Sequence, residues 1–231
     1  MTNPRAAVVI LAAGSGLRLG GETNKVLLPL GGMPVLAHSV RAVTQVAGCH
    51  RIVLVVRAVD RRGIAETFST SLGAEDVWLV EGGVERHDSE WHAVQALRED
   101  IEAGAVEVVA IHDAARPLAS AELFRRVIDA ALVSGGAIPV VPAGRLSHTD
   151  GSLAPTGLVG VQTPQAFAAR ELLAAYVRAD AEGFRGTDTA ACLARYTDIQ
   201  VTGVASGPEN LKVTYPEDLV LAGKLLSMPS R

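Results

Sequence analysis

The sequence has few aromatic residues, few cysteines, and no long apolar or basic run. Aromatic residues make up only 4% of the 231 residues, whereas 48% are hydrophobic and 20% are charged. This composition favours a packed globular protein and excludes disorder and coiled coils. No stretch approaches the roughly 20 apolar residues of a membrane-spanning helix, and the N-terminal segment lacks the features of a signal peptide. We therefore expect a cytoplasmic protein with no membrane partner.

Clusters of basic side chains are also lacking. The 21 basic and 25 acidic side chains give a net charge of -4, and no basic run is longer than the pair Arg61-Arg62. Because nucleic-acid binders carry basic patches that neutralise phosphates, we expect no nucleic-acid partner. A small anionic ligand would have to be met by a few locally placed cations.

The common metal and nucleophile motifs are missing as well. Cys49 and Cys192 lie far apart and form no C-x-x-C pair, so reduced, buried side chains are expected. There is no H-E-x-x-H, and the histidines are scattered. Ser15 lacks the G-x-S-x-G frame of a serine nucleophile, because position 13 is alanine.

Short apolar runs alternate with longer helical patterns, which predicts an α/β fold with a mostly parallel central sheet flanked by helices. Predicted strands cover 6–13, 51–58, 76–83, 106–117, 137–143, 199–205 and 210–214. Predicted helices cover 34–46, 60–72, 89–100, 120–134 with Ser120 as its cap, 168–180, 187–196, and 214–226 with Thr214 and Glu217 as a capping box. No linker or repeat interrupts the pattern, so we expect a single domain over 1–231.

One segment breaks this pattern. Residues 143–160 are rich in Gly, Ser, Thr and Pro and have no helical period. They predict a protruding β-arm with Asp150-Gly151 as its turn; an ordinary surface loop is the alternative. Such an arm also favours a homodimer in which it packs on its mate.

The first predicted strand runs into the glycine loop Ala12-Ala13-Gly14-Ser15-Gly16, which is followed by Arg18 and Lys25. Glycines at this junction let backbone N–H groups approach a phosphate. The dinucleotide fingerprint and the Walker loop both fail on spacing. Arg18 and Lys25 could neutralise a triphosphate and its leaving group, although two solvated side chains are the simpler interpretation.

A second group of polar residues follows the apolar run in 106–117, which stops at His112-Asp113 and continues with Ala114 and Arg116. Ligands of open α/β sheets bind beyond the carboxyl ends of the strands, so Asp113 is expected in the same crevice as Gly14. Its carboxylate could hold Mg²⁺, which prefers one or two carboxylates plus substrate oxygens. Alternatively, Asp113 caps the next turn and pairs with Arg116.

Two further segments suit a nucleotide site. Lys212 lies inside the strand pattern 210–214, where it either points into a cleft or keeps an edge strand soluble. Gly82-Gly83, with Arg86, Asp88 and Ser89 after them, end a strand and begin a helix. Nucleotide contacts or an ordinary helix cap would both fit there.

Taken together, these segments resemble the 2-C-methyl-D-erythritol 4-phosphate cytidylyltransferase family and its relative, the ribitol-5-phosphate cytidylyltransferases. The resemblance spans nearly the whole chain and rests on LAAGSGLRLG, LLPLGG, EGGVERHDS, HDAARP, VQTPQAF, GTDTAA and ENLKVTYPEDL. It implies a nucleotide-diphospho-sugar transferase fold. It also implies Mg²⁺-dependent transfer of CMP from CTP to a polyol phosphate, with release of pyrophosphate.

The resemblance also implies roles for individual residues. Arg18, Lys25 and Lys212 look like the catalytic cations, and Asp113 looks like the Mg²⁺ ligand. The implied nucleotide contacts are Ala12, Ala13, Gly14, Ser15, Gly16, Gly82, Gly83, Asp88, Ser89 and Ala114. The implied acceptor or phosphate contacts are Arg116, Thr163 and Arg145.

The sequence departs from the family pattern mainly in the acceptor half. Arg145-Leu146-Ser147-His148 stand where the family has an Asp-Thr and then a Lys, and Ala154-Pro155-Thr156 stand near the place of an arginine. Asn24 replaces a proline, and Thr189 replaces an acidic residue. Three hypotheses follow. The acceptor is methylerythritol phosphate, or it is ribitol phosphate or another polyol phosphate, or the protein is a nucleotide-binding paralogue without turnover.

Overall fold

The computed structural model describes residues 5–14, 24–65, 77–144 and 146–228. Its strands are β1 (Ala6–Leu11), β2 (Pro29–Leu30), β3 (Met33–Pro34), β4 (Cys49–Val56), β5 (Val77–Glu81), β6 (Val108–Asp113), β7 (Gly135–Pro142), β8 (Val159–Val161), β9 (Gln165–Ala168) and β10 (Gln200–Ala205). Within the described ranges, eight strands form one sheet in the order β10-β7-β9-β6-β1-β4-β5, with β8 paired to β7. The sheet is mixed and mostly parallel, as predicted, because β1 pairs in parallel with β4 and β6.

Helices cover both faces of this sheet. They are α1 (Val35–Val43), α2 (Arg86–Ala96), α3 (Arg98–Glu102), α4 (Ala121–Ser134), α5 (Ala169–Glu182), α6 (Thr189–Tyr196) and α7 (Pro216–Leu226), with 3-10 turns at Lys25–Leu27 and Ala58–Asp60. Residues 61–65 are helical as well, and the rest of the helix predicted over 60–72 lies outside the described ranges. Among the described helices, none combines the length and the apolarity that crossing a bilayer requires.

The core has one layer on each side of the sheet, as continuous hydrophobicity in the strands predicts. On one side, Val8 and Ile10 of β1 pack with Leu36 of α1 and Phe124 of α4. On the other side, alternate residues of β1 and β6 pack against α2, α5 and α6. Since β1 and β6 are buried on both faces, little but their ends can meet a ligand.

The ends of the central strands place the site. β1 and β6 run in parallel register, and Leu11 is paired with Asp113. The backbone N–H of Ala114 then donates to the carbonyl of Leu11 at 3.0 Å. The glycine loop after β1 and the polar residues after β6 therefore leave the sheet at the same edge.

Two strand predictions are wrong. Residues 210–214 form no strand, because their backbone groups make single contacts instead of a ladder: the N–H of Val213 donates to the carbonyl of Ala115 at 2.8 Å. The strand predicted over 106–117 ends at Asp113, where the N–H of Arg116 donates to the carbonyl of Asp113 at 2.9 Å and closes a turn.

The sequence patterns also missed some elements. Strand β9 lies between β6 and β7 and is antiparallel to both, but its four residues are too few to show a periodicity. The cap of α7 is Asp218 instead of Glu217, since its carboxylate accepts from the backbone N–H groups of Thr214 and Tyr215, both at 2.8 Å. The predicted Ser120 cap of α4 is confirmed, with Leu123 N donating to its Oγ at 3.1 Å.

The segment predicted as an arm contains a short hairpin. Ser147 pairs with Leu153 in an antiparallel bridge, and the N–H of His148 donates to the carbonyl of Ser152 at 2.8 Å. Gly151 of the predicted turn has a φ of +85°, the left-handed region that glycine adopts without a steric penalty. The predicted turn is therefore present within this segment, and the protruding arm over 143–160 stays a prediction.

Candidate active site

A cavity of about 560 Å³ opens at the carboxyl ends of β1 and β6. Its walls come from the glycine loop, the 3-10 turn at Lys25–Leu27, the start of α2, the end of β6 and the segment 210–214. The lining residues are Leu11, Ala12, Ala13, Gly14, Lys25, Val26, Gly83, Val84, Glu85, Arg86, Ser89, Asp113, Ala115, Lys212 and Thr214. A cavity of this size suits a small ligand.

The Asp113 carboxylate lies between two cations in this cavity. Its Oδ1 accepts from Arg86 Nη2 at 3.2 Å, and its Oδ2 accepts from Lys212 Nζ at 2.6 Å. Burial alone would raise the pKa of Asp113, but the Arg86 and Lys212 charges outweigh burial and hold the pKa below its ordinary value. The carboxylate is therefore ionised at any physiological pH.

The backbone of Asp113 is held by a hydrogen-bonded relay. Its N–H donates to Thr163 Oγ1 at 3.0 Å, and Thr163 Oγ1 lies 3.2 Å from His112 Nδ1. Burial lowers the pKa of His112 to about 4, so the ring is neutral at pH 7. Because the carbonyl of Arg116, 3.2 Å from Nε2, can only accept, Nε2 carries the proton and Nδ1 accepts from Thr163. This relay fixes the turn after β6.

Arg116 ties that turn to the segment 210–214. Its Nη1 donates to the carbonyl of Asn210 at 2.7 Å, and Asn210 Nδ2 donates to the carbonyl of Thr163 at 3.0 Å. The carboxylate of Asp113 pairs with Arg86 and Lys212, so the alternative in which Arg116 forms that ion pair is wrong. Arg116 and Thr163 support the cavity wall from behind.

Lys25 enters the cavity from the 3-10 turn. Asn24, which is buried, accepts from the N–H of Val26 at 3.3 Å and donates to the carbonyl of Ala12 at 2.9 Å and to Asp60 Oδ2 at 2.8 Å. These bonds hold the turn against the end of β1. Lys25 Nζ donates to the carbonyl of Val213 at 2.9 Å, close to Lys212 in the chain.

The glycine turn before α2 forms another wall. A side chain on Gly82 would collide with Ala13, and one on Gly83 would collide with Asp88. The N–H of Gly83 donates to Ser89 Oγ at 3.1 Å. Glycine is therefore required at Gly82 because the turn packs against the loop after β1, and at Gly83 because the turn packs against the first turn of α2.

Asp88 acts as a helix cap in this structure. Its Oδ2 accepts from the N–H of Glu85 at 3.1 Å, and its Oδ1 pairs with Arg185 Nε at 2.6 Å. This geometry confirms that Asp88 caps the start of α2. The nucleotide contact that the resemblance implies for Asp88 stays a prediction.

The structure brings many of the predicted site residues together. Those that line the cavity are Ala12, Ala13, Gly14, Lys25, Gly83, Ser89, Asp113 and Lys212. Those that lie beside the lining are Gly82, Asp88, Ala114, Arg116 and Thr163. Ser15, Gly16, Arg18 and Arg145 lie outside the described residues. The individual roles stay predictions.

The sequence places Arg86 in a segment that suits nucleotide contacts, without assigning it a specific partner, and it does not single out Glu90. Arg86 lines the cavity and contacts both Asp113 and Glu90. Their spacing of four residues on one helix is the available sequence signal, since side chains at i and i+4 are neighbours on a helix. That spacing does not reveal that Glu90 is buried.

Comparison with known proteins gives one consistent family. The family described as IspD, 2-C-methyl-D-erythritol 4-phosphate cytidylyltransferase, matches residues 6–228. A protein of that name from Cereibacter sphaeroides is 40% identical over 229 residues, covering 96% of this chain and 97% of that protein. Another from Shouchella clausii is 37% identical over 227 residues, covering 95% of this chain and 96% of that protein.

A solved structure agrees with these sequence matches. The crystal structure of 4-diphosphocytidyl-2C-methyl-D-erythritol synthase from Anaerococcus prevotii is similar to this chain with a TM-score of 0.82 and 28% identity. The similarity covers 98% of this chain and 97% of that one. The fold is therefore of the nucleotide-diphospho-sugar transferase type that the sequence predicts.

Proposed function

Because the chain belongs to the 2-C-methyl-D-erythritol 4-phosphate cytidylyltransferase family, we propose that it transfers CMP from CTP to 2-C-methyl-D-erythritol 4-phosphate and releases pyrophosphate. This reaction supplies an intermediate of isoprenoid synthesis. The observation that carries the proposal is the ionised Asp113 between Arg86 and Lys212 in a cavity bounded by two glycine turns. The acceptor is inferred from the matched relatives.

The reaction needs positioned charge more than it needs a nucleophile. An oxygen of the acceptor phosphate attacks the α-phosphorus of CTP, and the bond from that phosphorus to the bridging oxygen of pyrophosphate breaks. The electron pair of that bond leaves with pyrophosphate. Lys25 and Lys212 line the cavity and would stabilise the charge that develops on the phosphates.

Asp113 suits a role as a Mg²⁺ ligand. Its carboxylate is a hard oxygen donor, and its lowered pKa keeps it ionised. In the described part of the chain, no three His, Cys, Asp or Glu side chains are grouped to hold a metal by themselves, so the other ligands would be phosphate oxygens and water. Bound there, Mg²⁺ would neutralise phosphate charge and help to orient the triphosphate.

The glycine turns suit the nucleotide. Gly14 and Gly83 line the cavity without side chains, which gives phosphate or ribose groups close access to the backbone. Ser89, buried at the start of α2, already accepts a hydrogen bond from Gly83. We place CTP along this wall, with its phosphates toward Lys25, Asp113 and Lys212.

We also propose that the enzyme is a homodimer joined through the arm. Three apolar side chains are exposed on the hairpin and in the residues that follow it: Leu146, Leu153 and Leu158. Exposed apolar side chains clustered on one segment mark an interaction surface. A second copy of the chain is the partner that symmetry favours.

An acceptor panel tests the proposed reaction. Purified protein is incubated with CTP, Mg²⁺ and, separately, 2-C-methyl-D-erythritol 4-phosphate, ribitol 5-phosphate and other polyol phosphates, and pyrophosphate release is followed. We expect release with the methylerythritol phosphate. Release with only another polyol phosphate would reassign the acceptor, and measurable CTP binding without release from any mixture would indicate a paralogue without turnover.

A further inference from the structure

Glu90 of α2 is a carboxylate buried completely beside the site. Its side chain has no exposed surface, and it is not among the cavity-lining residues. Removing a carboxylate from water is costly unless it is paired and hydrogen-bonded. We therefore expect the buried carboxylate of Glu90 to be paired with groups of the protein and to serve a function there.

Three donors converge on this carboxylate. Arg86 Nη1 and Tyr176 OH donate to its two oxygens, and Thr189 Oγ1 donates to Oε1 at 2.9 Å. Burial raises the pKa of Glu90 above its ordinary value, and the Arg86 charge and the hydrogen bonds from Tyr176 and Thr189 oppose that rise only in part. Three donors on two oxygens is the arrangement of an ionised carboxylate, which only accepts.

Arg86 connects Glu90 to the site. One nitrogen of its guanidinium, Nη1, is held by Glu90, and the other, Nη2, donates to Asp113 Oδ1 at 3.2 Å. Because the guanidinium is planar and rigid, fixing Nη1 also fixes the direction of Nη2. Glu90 thereby fixes the contact of Arg86 with Oδ1 of Asp113. The other oxygen of Asp113, Oδ2, contacts Lys212, which lines the cavity.

Thr189 of α6 lies against the Glu90 carboxylate. It is buried, and its Oγ1 is the donor 2.9 Å from Glu90 Oε1. A carboxylate at position 189 would therefore lie next to the place that the Glu90 carboxylate occupies.

We propose that Glu90 is a positioning residue of the cation site, which acts through Arg86 to orient the Asp113 carboxylate toward the divalent cation and the phosphates. This inference rests on the proposed function, because it assumes that Asp113 meets Mg²⁺ bound with CTP. The ion pair of Glu90 and Arg86 is then part of the site, although Glu90 touches no substrate.

The test compares CTP binding by calorimetry in Mg²⁺ and in EDTA, without acceptor. For the unmodified protein, Mg²⁺ should tighten CTP binding. In Glu90→Gln, which keeps the shape but removes the charge, we expect this Mg²⁺-dependent gain to fall by roughly 10- to 100-fold, as when a partner of a metal ligand is removed. Binding in EDTA should change much less.

Two further variants separate positioning from stability. The exchange variant Glu90→Thr/Thr189→Glu keeps the same atoms and moves the carboxylate to position 189. It should recover most of the Mg²⁺-dependent gain. The control Glu102→Gln alters the exposed i,i+4 pair of Glu102 with Arg98 on α3 and should leave the gain unchanged. Thermal unfolding of each variant reports whether it is folded.

The outcomes are distinct. If Glu90→Gln is folded and keeps the full Mg²⁺-dependent gain, or loses affinity equally in Mg²⁺ and in EDTA, the positioning role is wrong. Failure of the exchange variant to recover any gain, when it is folded, also counts against it. If the unmodified protein binds no CTP in either condition, the proposed function itself fails.

Discussion

At the residue scale, lysine is rare in this chain, and most of its lysines lie at the site. The chain has only three lysines, Lys25, Lys212 and Lys224. The first two line the cavity, whereas Lys224 is exposed on α7. Lysine is a compact point charge suited to phosphate oxygens. Two of the three lysines therefore line the cavity in which we propose that the phosphates bind.

The lysine variants test this convergence. We expect Lys25→Ala and Lys212→Ala each to lower kcat by about 10² to 10³, because each removes charge stabilisation that is made mainly in the transition state. Steady-state kinetics with varied CTP measures kcat and KM separately. Lys224→Ala is the matched control and should leave both unchanged. A near-normal kcat in a folded Lys25 or Lys212 variant would contradict the assigned role.

The sequence could predict single site residues only where local context marked them. Asp113 ends an apolar run, and Lys212 stands out in an otherwise β-like segment, so both could be found. Glu90 could not, because its burial depends on Tyr176 and Thr189, which lie far along the chain. Such contacts exist only after helices α2, α5 and α6 pack together.

At the element scale, the long strands and helices were predictable because their patterns are strong. Buried β1 and β6 carry continuous apolar runs, and α4 has both a periodic apolar face and a Ser120 cap. The four-residue β9 is missed by the sequence patterns, and the segment 210–214 is predicted as a strand that it does not form. In both, tertiary pairing decides the backbone conformation, and a short apolar run is compatible with more than one state.

The arm has its own prediction. We expect the protein to sediment as a dimer at micromolar concentration, and Leu153→Glu to weaken association by about tenfold or more, because a charge would be buried at the interface. Leu153 is 79% exposed on the hairpin. Val133→Glu, which alters a 91% exposed residue of α4, is the control.

Either of two sedimentation results would contradict this view of the arm. One is a monomer for the unmodified chain across the micromolar range. The other is a dimer that Leu153→Glu does not weaken relative to Val133→Glu. Leu153 is not among the residues that line the cavity, so this variant tests association separately from the groups at the cavity wall.

At the scale of the whole molecule, overall charge says little about the ligand. The net charge is -4, yet Lys25, Arg86 and Lys212 line one cavity, and two of them, Arg86 and Lys212, contact the Asp113 carboxylate. These cations come from three distant parts of the chain, brought together by the parallel register of β1 and β6 and by the bonds of segment 210–214. A local positive field can thus form within an acidic protein.

In the proposed reaction, CMP moves directly from CTP to the acceptor, without an intermediate on the protein. The most direct test is exchange of isotopically labelled pyrophosphate into CTP, with Mg²⁺ present. We predict that label enters CTP only when 2-C-methyl-D-erythritol 4-phosphate is also present. Label that enters CTP without any acceptor would reveal a nucleotidyl-protein intermediate. An absence of exchange even with the acceptor would count against the transfer itself. Either result would contradict direct transfer of CMP to this acceptor.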